Sequence, residues 1–118
     1  MQKFTGVISD RGSKYAVSGG HVACRADIDE FLRTLKRDKK FAKATHNTWA
    51  ASLSDGGALK GDDGESGAGM VILRMLEREG LNDHIIVVTR WYGGKKLGGD
   101  GFRHVQDCVR AYLEETSV

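Results

Sequence analysis

Apolar residues recur along this chain in two rhythms. Ile28, Phe31, Leu32 and Leu35 hold the i, i+3, i+4, i+7 spacing of one helical face, and Asp27 followed by Glu30 has the form of a capping box. A second helix is predicted after Ser66, a capping residue. Met70, Val71, Ile72, Leu73, Met75 and Leu76 cover most of its circumference, Arg74, Glu77, Arg78 and Glu79 stay outside, and Gly80 closes it. A third follows Asp100, with Phe102, Val105, Val109, Tyr112 and Leu113 predicted inward and Arg103, Asp107, Arg110 and Glu114 outward.

Elsewhere the period is two. Phe4 to Ile8 and Lys14 to Val17 are rich in β-formers and separated by the turn-like Asp10-Arg11-Gly12-Ser13; Gly19-Gly20 then sets off Val22 and Cys24. An antiparallel meander of two or three short strands is predicted there. Trp49, Ala51 and Leu53 alternate with smaller residues, which predicts a strand with one buried face, ended by Asp55-Gly56-Gly57. From there to Gly64 the chain is polar, with Leu59 its only large apolar residue, and reads as a surface loop. Ile85-Ile86-Val87-Val88 is a continuous β-branched run of the kind covered on both faces in mid-sheet. The sum is an α+β fold around one sheet, a single domain over residues 1–118 with no internal repeat.

Composition sharpens this at a few points. The 118 residues are enough for one core, and with 40% hydrophobic and 29% charged residues the chain is not expected to be disordered as a whole. Sixteen glycines with no proline concentrate attention on the loops. A net charge of +2 is too small to argue for nucleic acid by itself. Lys36, Arg37, Lys39, Lys40 and Lys43 read as a solvated helix C-terminus, whereas Arg90, Lys95, Lys96 and Arg103 surround a glycine-rich segment. Cys24 and Cys108 are isolated and expected to be buried free thiols. With no membrane-length apolar run and no signal-like start, a cytoplasmic protein is expected.

Four groups carry candidate chemistry. Asp62, Asp63 and Glu65 stand at a helix mouth, where acids either ligate a divalent cation or accept hydrogen bonds from the loop and helix-start amides; the second reading is the commoner one. His46, in Thr45-His46-Asn47, is the kind of imidazole used in proton transfer but has no adjacent nucleophile. Gly93-Gly94 and Gly98-Gly99, flanking Lys95 and Lys96, read equally as a phosphate cradle and as a tight strand-to-helix connection; the order is neither that of a P-loop nor that of a dinucleotide fingerprint. Arg90, Trp91 and Tyr92 form a charged aromatic group able to stack a base or anchor a protein, with one of the two aromatics expected inside by strand alternation. No catalytic residue, metal ligand set or cofactor is assigned.

Taken together, Asp10-Arg11-Gly12-Ser13-Lys14-Tyr15, Ala44-Thr45-His46-Asn47, Asp62-Asp63-Gly64-Glu65 with Gly67-Ala68-Gly69, and Val87-Val88-Thr89-Arg90-Trp91-Tyr92-Gly93-Gly94 with Leu97-Gly98 resemble the Impact family, which includes the bacterial YigZ-type proteins. The wording is closer to the eukaryotic members, since bacterial relatives read Arg-Tyr-Phe-Gly-Gly where this chain has Arg90-Trp91-Tyr92-Gly93-Gly94. The resemblance implies a two-layer sandwich, a mixed sheet with helices on one face, similar to the second domain of ribosomal small-subunit protein five. It also implies restraint of the amino-acid-starvation kinase through competition for its ribosome-associated activator, with actin as a further partner, and it establishes no enzymatic activity. Eukaryotic members carry an N-terminal RWD domain and bacterial ones a ferredoxin-like domain, so a minimal member or a piece of a longer protein is expected. Lys95-Lys96 replaces residues that tend to be apolar in relatives, which favours an anionic partner.

Three functions are therefore carried forward. The first is a non-enzymatic domain binding a translation-associated partner in translational control through the Arg90 to Arg103 surface and the acidic loop. The second is direct RNA or ribosome binding by that surface. The third is an enzyme acting on a phosphorylated small molecule, with His46, Asp62, Asp63, Glu65 and Arg90 around a metal.

Overall fold

The computed structural model describes residues 1–117. Nine elements follow one another: β1 (Gln2–Asp10), β2 (Ser13–His21), α1 (Arg25–Leu35), α2 (Lys39–Ala42), β3 (His46–Ser52), β4 (Ala58–Gly61), α3 (Ala68–Arg78), β5 (His84–Trp91) and α4 (Asp100–Thr116). The strands form one sheet in the order β1-β2-β5-β3-β4, with the β-branched β5 at its centre as expected.

The α+β class expected from the sequence is the one observed, and two details differ. Every strand pair is antiparallel, so the sheet is not mixed. Helices also cover both faces, not one. Tyr15, Val17, Ala50, Ile86 and Val88 point to α3 and α4, while Ala16, Trp49, Ala51, Ile85 and Val87 point to α1 and α2 through Ile28, Phe31, Leu35 and Phe41. Alternate residues of β2, β3 and β5 are thus buried on opposite sides, and an apolar run without polar alternation demands such double cover.

Local departures have similar causes. Gly19 and Gly20 continue β2 instead of ending it, because the ring of Tyr112 lies where a side chain on Gly19 would stand. The meander has two strands, and α1 begins at Arg25, before the expected box; Asp27 accepts from the Ala23 amide at 2.8 Å. Cys24 caps that helix and is exposed, while Cys108 is buried. The basic run contains α2, started by Asp38 and held by buried Phe41. Residues 58–61, expected as loop, are an edge strand paired with β3. Phe102 is 43% exposed, not inward, and α4 packs instead through Val105, Cys108, Val109 and Tyr112. Among the described residues no helix is long and apolar enough to cross a membrane.

Candidate functional site

The exit of β5 carries Arg90, Trp91 and Tyr92, and strand alternation separates them. Arg90 lies opposite Tyr15 and Trp91 opposite Lys14 in the register, so the two side chains leave on different faces. Trp91 donates from Nε1 to the Lys40 carbonyl at 3.0 Å and packs edge-on against Phe41 at 5.1 Å, tying α2 to the sheet. Tyr92 is 48% exposed. Its amide donates to Thr45 Oγ1 at 2.9 Å, which fixes the backbone from which its ring projects.

Beneath that ring lies a polar line. Arg90 Nη1 donates to Glu65 Oε1 at 3.1 Å, with each side chain 11% exposed, and the guanidinium sits 5.6 Å from the Tyr92 ring and 5.8 Å from that of Tyr15. Glu65 Oε2 is 3.7 Å from His46 Nε2, and His46 Nδ1 is 2.8 Å from the Asp63 carbonyl. Arg90 is therefore a nearly buried, paired charge that positions its neighbours. Burial pushes the Tyr15 phenol up to about 12, against the opposing pull of Arg90, so Tyr15 is neutral packing under the site at neutral pH.

The acidic loop is held from within. Asp62 accepts from the amides of Gly67 at 3.0 Å and Gly69 at 2.8 Å, so it caps α3 in place of the expected Ser66. These amides hold its carboxyl below the usual carboxylate range. Asp63 Oδ2 accepts from the Asn47 amide at 2.7 Å. Asn47 is an internal strut: its Nδ2 donates to the Phe41 carbonyl at 3.0 Å and its Oδ1 accepts from Thr89 Oγ1 at 2.7 Å. The acids are thus engaged by amides and by Arg90, the pattern of the capping alternative. Among the described residues no three His, Cys, Asp or Glu side chains are grouped to hold a metal ion.

The glycine segment divides in two. The Gly93 amide donates to Ser13 Oγ at 3.1 Å, and a Cβ there would fall 2.0 Å from the Gly12 carbonyl carbon, so this glycine serves a backbone contact with the β1–β2 turn. Beyond it Lys95 and Lys96 are exposed while buried Leu97 pins the segment to the core. An open cleft of ≈ 470 Å³ results, lined by Thr45, His46, Arg90, Tyr92, Lys96 and Leu97. Trp91 and Lys95 do not line it. Arg103 is likewise elsewhere: it pairs with Asp100, which also accepts from Arg11 at 2.5 Å.

The Arg90–Glu65 pair, Thr45 and Leu97 escaped sequence reasoning. Arg90 continues the inward alternation of Ile86 and Val88, a signal that would have placed it inside; no pattern marks Glu65 as its partner. Chemically, the assembly is a fixed polar floor with an exposed phenol able to stack and, at its rim, a lysine that pairs with no carboxylate among the described residues. His46 faces a carbonyl and a carboxylate, and among the described residues no hydroxyl or thiol nucleophile is bonded to it.

The family model described as the Impact N-terminal domain matches residues 11–113. The chain is 34% identical to a Caenorhabditis elegans protein named Protein IMPACT homolog over 94% of its own length and 46% of the relative's. It is 36% identical to Homo sapiens Protein IMPACT over 92% of itself and 35% of that protein, so it spans less than half of these curated relatives. A crystal structure of a hypothetical protein superposes with a TM-score of 0.82 at 23% identity, covering 96% of this chain and 57% of the other, which shows a shared fold. The two-domain translational regulator Yih1 superposes at 0.56 with 33% identity, covering 92% of this chain and 44% of its own. On the match of residues 11–113 and the identities with its relatives, the chain belongs to the Impact family.

Proposed function

We propose that this chain is a non-enzymatic domain that binds a translation-associated protein in the cytoplasm, using the rim of the cleft between His46 and Lys96. The observation that carries this reading is the exposure of Tyr92 above the nearly buried Arg90–Glu65 pair. A half-exposed aromatic on a rigid, desolvated base is what interface anchors have in common. Lys96 at the rim and Lys95 beside it give the contact a positive margin that suits an acidic partner surface. Kinship with Yih1, a translational regulator, supports translational control as the setting. The finer form of the reading is competition for the ribosome-associated activator of the amino-acid-starvation kinase.

Direct RNA binding is the second reading, favoured by the same exposed Tyr92 beside two lysines, since base stacking and phosphate contacts use these groups. Co-sedimentation with ribosomes across a salt series separates the two. A protein contact anchored by Tyr92 survives RNase and weakens only modestly with salt. Binding that RNase abolishes, and that falls steeply with salt, supports RNA and overturns the protein reading.

A further inference from the structure

A second cavity opens at the β1 edge of the sheet, apart from the Arg90 cleft, and a defect in strand pairing makes it. From Phe4 to Ile8 the first strand advances four residues while its partner passes only two, from Val17 to Tyr15. Thr5, Gly6 and Val7 therefore leave the paired register, with Gly6 at φ 64, a turn that a side chain would oppose. Beside this bulge opens a cavity of ≈ 580 Å³, within the usual range for small-molecule sites.

Its walls divide by chemistry. The indole of Trp91 supplies the apolar part, Thr5 and Ser9 bring hydroxyls at the bulge, and Ile8 and Tyr15, whose side chains pack toward α3 and α4, line the far side. Lys14 and Lys40 are the charged lining residues, and neither pairs with a carboxylate among the described residues. The Lys40 ammonium stands 5.2 Å from the centre of the Trp91 ring, so cation and ring meet at one edge of the cavity. Two unpaired cations, an indole and a hydroxyl-bearing wall fit an occupant that has an anionic group, a flat apolar body and a polar edge.

We infer that the β1 bulge forms a binding site for a free nucleoside monophosphate. Its base lies against Trp91, its polar edge meets Thr5, Ser9 and the bulged backbone, and its phosphate is drawn to Lys14 and Lys40. The site is independent of the partner-binding cleft, and its failure would leave that reading untouched.

Calorimetric titration of the whole chain with AMP and with UMP tests this. Saturable one-to-one binding of either is expected, and loss of the phosphate in adenosine or uridine should weaken it about tenfold. Lys14→Glu with Lys40→Glu should abolish it while leaving the circular dichroism unchanged, because both lysines are exposed. Lys36→Glu with Lys43→Glu makes the same change of net charge away from the cavity and should bind as the native chain does. The proposal is overturned if neither nucleotide binds at millimolar concentration, if the two double variants weaken binding equally, or if hexaadenylate occupies the site more tightly than AMP.

Discussion

Arg90 and Glu65, 25 residues apart in sequence, meet at 3.1 Å with each side chain 11% exposed, and this contact fastens the end of the central strand to the loop that opens α3. Removing one partner strands the other charge in a poorly solvated place. Glu65→Ala should therefore cost about 3 kcal/mol, the scale for breaking a buried pair. The double variant Glu65→Leu, Arg90→Met should lose much less, since neither charge remains. Urea melts of the three proteins check this, and equal losses in the single and double variants would mean that the pair has no structural role.

Asp62 gives the fold a pH dependence of defined sign. The Gly67 and Gly69 amides lower its folded pKa, so the stabilisation it confers is complete above the ordinary carboxylate value and is lost as pH falls through the depressed one. Asp62→Asn should destabilise by about 1 kcal/mol at neutral pH, as loss of a helix cap does. It should also flatten the fall in stability below about pH 4. Thermal melts of both proteins from neutral to acid pH read out the difference, and parallel curves would contradict it.

At Gly93 the backbone of one turn touches another. A Cβ there would lie 2.0 Å from the Gly12 carbonyl carbon and 2.3 Å from the Ser13 nitrogen, atoms that cannot swing aside. Gly93→Ala should cost about 3 kcal/mol, the upper part of the range for overpacking. Gly94→Ala, with nothing near its Cβ but a φ of 93, should cost less. Comparison of the two unfolding midpoints decides the matter.

Asn47 joins three elements through buried hydrogen bonds to Phe41 and Thr89. Asn47→Ala leaves the Thr89 hydroxyl without its acceptor and takes one of two donors from the Phe41 carbonyl, which keeps the Ala44 amide, and should destabilise by about 2 kcal/mol. The variant Thr89→Val should couple to it, because the two changes remove one shared bond. A double-mutant cycle with additive losses would show that the network does not act as a unit.

What could be read from the sequence followed periodicity and length. The apolar faces of α1 and α3, the Gly80 ending and the central place of Ile85 to Val88 were all carried by long, regular patterns. The same β-branched run implied cover on both faces, which conflicts with helices on one face only, and the structure resolves the conflict toward two. Residues 39–42 and 58–61 were missed because each four-residue element holds one large apolar side chain, Phe41 and Leu59, too few to show a period. The site was legible as a set of motifs and not as a geometry. Trp91 and Tyr92 are neighbours in sequence, yet strand alternation sends one beneath α2 and leaves the other exposed; Asp62 and Asn47 looked like surface chemistry and turn out to be struts.

The claim that matters most is that the rim of the cleft, and not its buried floor, meets a protein partner. Capture from a cell lysate with the native chain and with a Tyr92→Ala, Lys95→Glu, Lys96→Glu variant, both after RNase treatment, tests it directly. Arg90 is left intact so that the fold is unchanged, and melting curves confirm that it is. The account predicts that the native chain retains a discrete translation factor that the variant loses. Equal recovery of that factor by both proteins, with matched stability, would contradict it.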